Sequence, residues 1–425
     1  MPERGLGDWL THLERIHPAS IDLGLERVAR VARIMGLVPL SCRSVLVAGT
    51  NGKGSVVYTC DAVLRAHGQR TGRYTSPHLE HFNERIAVDG APVGDDILLE
   101  AFEAIEAARG ETTLTYFEFS TLAALWVFRE RAVDVAVLEI GLGGRLDAAN
   151  IVDADVAVVT SIALDHQQWL GDTVEAIAPE KAAIARAGRP LVLAEAQYPA
   201  ALFATLKDLE ATVLRAGDEW AWSEEEGILS LSPGGSFSLS RPMSMPVPAG
   251  LRAANVAAAL RAAAVLLGAA FDGDRTRAAL TGLRVPARRE IRVVDDREVV
   301  LDVAHNPAAA EALVEFLLSL PRRPTTAVLG VMSDKDYAAM ARSLATCVDG
   351  ACAVAIPGIE RAADPETVWR ALDEAGIAIA QSDFSMEAVW RQLQNGSAPG
   401  DRLVVCGSFH TVAGILELLR ADSRG

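Results

Sequence analysis

A chain of 425 residues, half of them hydrophobic and 23% charged, has the length for two or three domains and the composition of an ordinary globular protein. Its net charge of −16 and pI near 5.0 argue against nucleic acid or an anionic membrane as partner, so any bound phosphate must be met by local cations. Cys42, Cys60, Cys347, Cys352 and Cys406 are odd in number and form no Cys-x-x-Cys pair, which points to reduced thiols, a cytoplasmic setting and no zinc centre.

No signal peptide is visible: Glu3, Arg4 and Asp8 interrupt the first ten residues. Apolar residues at helical spacing predict two helices over Gly7–Leu37, broken at Pro18. Val45–Ser55 (VLVAGTNGKGS) reads as a buried strand, a glycine-rich turn and a helix start, with the helix continuing to His67. Ser76–Gly90 is a loop ending in a short strand, Arg85–Val88. Helices are expected at Ile97–Ala108, Phe117–Glu130 and Val174–Ala187, and strands at Asp134–Ile140, Asp155–Ser161 and Pro190–Ala194. This alternation predicts an α/β fold built on a doubly wound parallel sheet. Residues 215–247 read as a small antiparallel β-element and Asn255–Leu267 as a helix; the apolar stretch around Asn255–Phe271, interrupted by Arg261, is too short to span a bilayer comfortably and reads as a core helix.

A boundary falls near Leu283–Ile291, dividing the chain into domains 1–285 and 286–425. The α/β rhythm then restarts: strands at Glu298–Val303, Thr325–Val331, Gly350–Ile356 and Arg402–Cys406, and helices at Pro307–Leu318, Tyr337–Thr346 and Pro365–Ala375. This is a second, smaller, Rossmann-like domain.

The chemistry starts at the glycine-rich turn. Gly49, Gly52 and Gly54 let backbone N–H groups approach a phosphate at a helix N-terminus, Lys53 adds a charge, and Ser55 a hydroxyl for Mg²⁺. The spacing departs from GxxxxGK[ST], because Gly54 lies between Lys53 and Ser55. A strand–turn–helix corner needing glycines only for packing is the other reading. Glu139 ends the strand DVAVLEI, at the sheet edge where ligands bind and where Mg²⁺ needs a carboxylate; a cap for the following turn is the alternative. Gly141–Gly144 resembles the opening of a dinucleotide fingerprint, but Leu146 breaks it, and the glycines serve close approach to a ligand or another loop. His166 at a strand end could ligate metal or be structural. Lys181, read from its surroundings alone, belongs to a solvated helix face. Asp302 and His305 in LDVAHNP could both face a cleft. Asp334-Lys335-Asp336 mimics a guanine-reading motif but lies in the other domain from the phosphate loop, and Gly407-Ser408-Phe409-His410 follows the last strand.

Taken together, GTNGKGS, SPHLEHFNERI, LEIGLGGRLDAAN, SIALDHQQWLG, LRAANVAAAL, DVAHNP and GSFH occur in the order found in the folylpolyglutamate synthase/dihydrofolate synthase family of the Mur ligase superfamily. The resemblance spans about residues 20–420 and includes the extra glycine, Gly54. It is closest to the bacterial bifunctional members. It implies an ATP-dependent amide ligase: ATP phosphorylates a carboxylate of dihydropteroate or a folate, and L-glutamate attacks the acyl phosphate. By resemblance Gly49, Thr50, Asn51, Gly52, Lys53, Gly54 and Ser55 hold the phosphates. Ser55, Ser76 and Glu139 would bind one Mg²⁺, and Glu139, His166 and a carbamylated Lys181 a second. Asn255, Arg288 and Asp302 match ATP contacts, with Arg289 the rival of Arg288. Arg85, His305 and Ser408 match positions that hold glutamate, and Phe117 and Phe119 are candidate walls for the pterin ring. The family's usual HTDW is HQQW here, with Gln167 and Gln168 inside it. A monomer is expected. Two rivals remain: a cell-wall ligase acting on a UDP-muramyl peptide, for which about 40 residues before the loop leave no room for a UDP-binding domain, and a nucleotide switch without ligase chemistry.

Overall fold

The computed structural model describes residues 4–19, 21–217, 220–232, 242–379, 381 and 383–422. Two compact units make up the chain: Met1–Pro248 with Arg252–Leu283, and Ala249–Leu251 with Arg284–Gly425.

The first unit is built on strands β1 Arg43–Ala48, β2 Thr71–Tyr74, β3 Ile86–Val88, β4 Ala91–Pro92, β5 Val135–Glu139, β6 Val156–Val159, β7 Pro190–Leu193 and β8 Thr212–Arg215. They form one sheet in the order β4-β3-β2-β5-β1-β6-β7-β8. The sheet is parallel from β2 to β8, and β3 and β4 add an antiparallel edge. β1, β2, β5 and β6 are buried on both faces, as apolar runs such as VLVA and VAVL require. Val47 pairs with Glu139 and with Val158, and Tyr74 with Leu138. That register brings Gly49, Ser76, Glu139 and Thr160 to one carboxyl edge. β9 Ala221–Glu225, β10 Ile228–Ser232 and β11 Met243–Pro246 form the small antiparallel sheet expected from the sequence; the 218–219 and 233–241 parts of that expectation lie outside the described residues.

Two expectations need correction. The helix from Val174 ends at Ala182, not Ala187. Arg186 explains the stop: its guanidinium donates to the carbonyls of Ile184, Ala185 and Asn150, offering them partners that a continued helix would not. The apolar helix Ala253–Leu267 runs into a 3₁₀ turn, giving an 18-residue stretch of mean hydropathy 1.6, long and apolar enough to cross a membrane. Two thirds of that stretch is buried, and the helix packs against Lys53–Ala66 within the unit.

The second unit holds β12 Glu290–Val294, β13 Arg297–Leu301, β14 Thr325–Leu329, β15 Gly350–Ala353, β16 Ala378–Ile379 and β17 Arg402–Cys406, in the order β12-β13-β17-β14-β15-β16. All neighbours are parallel except β12 with β13. β12, which the sequence hid inside the boundary, is an antiparallel edge strand with Ile291 and Val293 exposed.

One ionic group sits under the helix that follows the glycine-rich turn. Asp61, 1% exposed, takes Arg73 Nη1 and Arg65 Nε at 3.2 Å and the Thr71 hydroxyl, and Arg73 stacks on Tyr58. Asp61→Ala leaves Arg73 buried without its carboxylate and is expected to cost about 3–5 kcal/mol. Urea unfolding of the purified variant measures this; a loss below about 1 kcal/mol would contradict it.

Candidate active site

The turn after β1 needs its glycines. Gly49 has φ 144° and Gly52 φ 91°; a Cβ on the first would collide with Thr160 Oγ1, and on the second with the Asn255 amide. Gly52 lies at the N-cap of Lys53–Ala66 and offers no side-chain cap, so the first turn of the helix opens beside Asn255. Thr50 pins the turn from outside: its N–H donates to Ser161 O at 2.7 Å, and its hydroxyl exchanges bonds with Ala163 O and N at 3.1 and 3.0 Å. Asn51 and Ser161 exchange a further pair.

Two lysine amines converge on this turn. Lys53 Nζ donates to the carbonyls of Gly49 and Thr50, both at 3.1 Å, and Lys181 Nζ donates to Gly49 O at 2.9 Å. Lys181 is therefore no solvated helix residue; it is 4% exposed. The Gly141–Gly144 turn shows why. A Cβ on Gly144 would run into Glu180 O and crowd Lys181 Cα, so the missing side chain lets the turn press against the lysine helix. Burial, then the neighbouring Lys53, lowers the Lys181 amine to about 7.

Asp147, which the sequence reading passed over, is the acidic counterpart. One carboxylate oxygen accepts from Gly141 N at 2.9 Å and Leu142 N at 2.8 Å, the other from Ala149 N at 2.9 Å. Burial pushes its carboxyl up to about 7, against the pull of these bonds and of Lys53. The available signal was an aspartate just after a glycine turn and at the start of a short helix.

Glu139 is 3% exposed and accepts from Ser76 N at 3.2 Å. His166 has φ 51° and donates its N–H to Asp165, itself buried. Ser55 is buried in the first turn of the helix. Among the described residues no three His, Cys, Asp or Glu side chains cluster as a metal site. Ser55, Ser76, Glu139 and His166 supply hydroxyl, carboxylate and imidazole donors that suit a hard divalent cation.

Arg85 is 8% exposed, donates Nε to His78 Nδ1 at 2.8 Å, and lies against the rings of Tyr116 and Phe82. The two candidate pterin walls separate. Phe117 lies under Gly141, where a Cβ would come within 2.6 Å of its ring. Phe119 is fully buried against Trp9 and Phe102 in the core, so its packing removes it as a wall.

In the second unit, Asp302 accepts from Arg289 N at 2.8 Å and Ala304 N at 2.7 Å. Its burial raises the carboxyl, opposed first by Arg288. The Arg288 guanidinium lies over Phe409 of the GSFH turn, and that of Arg289 over Phe316 on Pro307–Ser319. His305 Nδ1 bonds Val303 O at 2.8 Å. Ser408 is buried and its hydroxyl accepts from Thr411 N at 3.0 Å, capping the last helix. In the guanine-like motif, Lys335 pairs with Asp334 at 3.3 Å and Asp336 caps Tyr337–Leu344.

The chain matches the family models described as "Mur ligase middle domain" over residues 47–263 and "Mur ligase, glutamate ligase domain" over 284–409. It is 40% identical to the dihydrofolate synthase/folylpolyglutamate synthase of Escherichia coli (strain K12), covering 99% of this chain and 97% of that protein. This chain belongs to the dihydrofolate synthase/folylpolyglutamate synthase family. It is also 32% identical to the folylpolyglutamate synthase of Lacticaseibacillus casei, over 92% of this chain and 94% of that one. Its fold superposes on E. coli FolC in complex with DHPP and ADP with a TM-score of 0.92, at 38% identity and full coverage of both chains. A bifunctional family member solved with Mn, AMPPNP and L-glutamate bound gives a TM-score of 0.87 at 38% identity, with 98% of each chain covered. Like other members of the family, the chain is an ATP-dependent carboxylate–amine ligase of folate metabolism, with nucleotide and divalent-metal chemistry.

The Lys181 amine carries a pH signature. From pH 7 to the ordinary lysine value of 10.5 the unfolded chain keeps a proton that the folded chain has released, so stability should rise with pH across that window. Asp147 acts at lower pH: raised from 3.8 to about 7, it lowers stability as pH climbs between those values. With carbon dioxide excluded, Lys181→Met should flatten the upper rise. Urea midpoints at ~pH 7.5 and ~pH 9.5 check it; an equal gain in both proteins would refute it.

Proposed function

We propose that this chain joins the amine of L-glutamate to the carboxylate of dihydropteroate and of reduced folates. The observation that carries the site assignment is the pair of lysine amines, Lys53 and Lys181, on the carbonyl of Gly49. The substrate reading is supported by the relative of both activities, which matches nearly the whole chain.

A carboxylate is a poor electrophile, so ATP first phosphorylates it and ADP leaves. The glutamate amine then attacks the acyl carbon, expelling phosphate and losing a proton. Gly49–Ser55 cradle the phosphates with backbone N–H groups, and Lys53 places its charge at the transferring phosphoryl. Asn255, beside Gly52, and Arg288 and Asp302 take the rest of ATP; Arg288 is preferred to Arg289 because its charge is the stronger of the two in opposing the rise of the buried Asp302 carboxyl. Arg85, His305 and Ser408 hold glutamate, and Phe117 faces the pterin. Ser55, Ser76 and Glu139 would hold one Mg²⁺, and Glu139, His166 and carbamylated Lys181 another; bound there, the ions neutralise phosphate charge. The lowered Lys181 amine supports the carbamate, because only a neutral amine adds carbon dioxide. A monomer in a reducing compartment accompanies this reading, and five unpaired cysteines suit such a compartment.

ADP release should require dihydropteroate or a reduced folate, with mass detection showing one added glutamate. Lys53→Ala should lower turnover by at least ~100-fold at saturating ATP while circular dichroism stays native. A near-normal rate would sink the phosphate-loop assignment. Lys181→Ala should be nearly inactive and regain some rate with short carboxylic acids. Intact mass of active wild-type protein should carry the carbamate; a free amine throughout turnover would count against it.

A further inference from the structure

The loop after β2 carries a histidine that the mechanism above does not use. The loop is held at both ends. Thr75 N donates to Arg85 O at 2.9 Å. Inside the loop, the Glu84 carboxylate accepts from Leu79 N, Glu80 N and His81 N at 2.8, 2.9 and 2.8 Å, filling a nest of three successive amides. This fixes the loop backbone and places His78 against Arg85. The Arg85 Nε–H donates to His78 Nδ1 at 2.8 Å, while Phe82 and Tyr116 flank the guanidinium at 5.7 and 5.3 Å. His78 also meets Phe82 edge-on, with ring centroids 6.1 Å apart.

A guanidinium turns about its Nε bond, and that turn decides where its two Nη groups point. A carboxylate is taken best by two parallel N–H groups in one plane. The bond to His78 commits the Nε–H, and with it the plane of the whole fork. We propose that His78 is a positioning residue for Arg85, setting the guanidinium plane in which the Nη groups take a carboxylate of the incoming glutamate. The inference rests on the reading that Arg85 holds glutamate. It also fixes the histidine tautomer, because an Nδ1 that accepts leaves the proton on Nε2.

Three variants test it, each assayed for the Michaelis constants of glutamate and ATP and for the rate at saturating glutamate. His78→Phe keeps a ring against Phe82 and removes the acceptor; it should raise the glutamate KM about tenfold and leave the ATP KM within about threefold. His78→Asn offers an oxygen near the Nδ1 position and should hold the glutamate KM within about threefold of wild type. Arg85→Ala should raise it at least as much as His78→Phe, and the double variant should lose little more than Arg85→Ala alone. Nitrogen-15 NMR of the wild-type ring should show the Nε2–H tautomer. If Arg85→Ala raises the glutamate KM and His78→Phe does not, the positioning role falls while the role of Arg85 stands. If Arg85→Ala leaves the glutamate KM unchanged, the reading of Arg85 falls and the inference with it. Equal damage from His78→Phe and His78→Asn, or an Nδ1–H tautomer, would also overturn it.

Discussion

Two primary amines on one carbonyl oxygen is the constraint from which the site follows. Gly49 O has two lone pairs and receives Lys53 and Lys181 together. Two ammonium groups that close repel, and burial raises the cost of keeping both charged. The balance is struck at Lys181, the more buried amine, while Lys53 at the start of its helix keeps a part-exposed position. The unit thus brings a part-exposed lysine amine and a buried one with a lowered hold on its proton to the same atom.

The surrounding glycines make that meeting possible. Gly49 clears Thr160, Gly52 clears Asn255 and Gly144 clears the backbone of the lysine helix. Each is a place where two segments approach more closely than a side chain permits. Asp147 then ties the Gly141–Gly144 turn to the following 3₁₀ helix, with two backbone amides of the turn on one carboxylate oxygen and Ala149 N on the other. Its raised carboxyl and the lowered Lys181 come from the same burial acting on opposite charges.

Much of this could be read from the chain, and what could not has physical reasons. VLVA, DVAVLEI and DVAVVTS are legible as strands because each has a short apolar core rich in valine, too short for a helix, and the strand ends carry Glu139, Thr160 and Gly49 together. Lys181 was illegible, because PEKAAIARAG has no pattern that separates a solvated lysine from one pressed under a glycine turn. FEF hid a similar division. Phe117 and Phe119 are two apart and so face different sides of the helix Tyr116–Glu130, one under Gly141 and one in the core. Asp147 works through backbone amides five and six residues upstream, a contact that no spacing rule encodes. β12 was lost because it lies at a sheet edge inside the boundary and its alternation, Glu290-Ile291-Arg292-Val293, turns the apolar side outward, so no core-facing pattern marks it.

The helix Ala253–Leu267 has a consequence for biosynthesis. By length and composition its apolar stretch passes for a bilayer segment until it is covered. Its cover is Lys53–Ala66, which emerges from the ribosome long before it. That helix and strands β6 and β7, which also touch the segment, can therefore wait as a prepared surface, and the interval of exposure is set by docking rather than by the wait for later synthesis. The order of elements along the chain, as much as their packing, keeps this segment on the path to a folded enzyme.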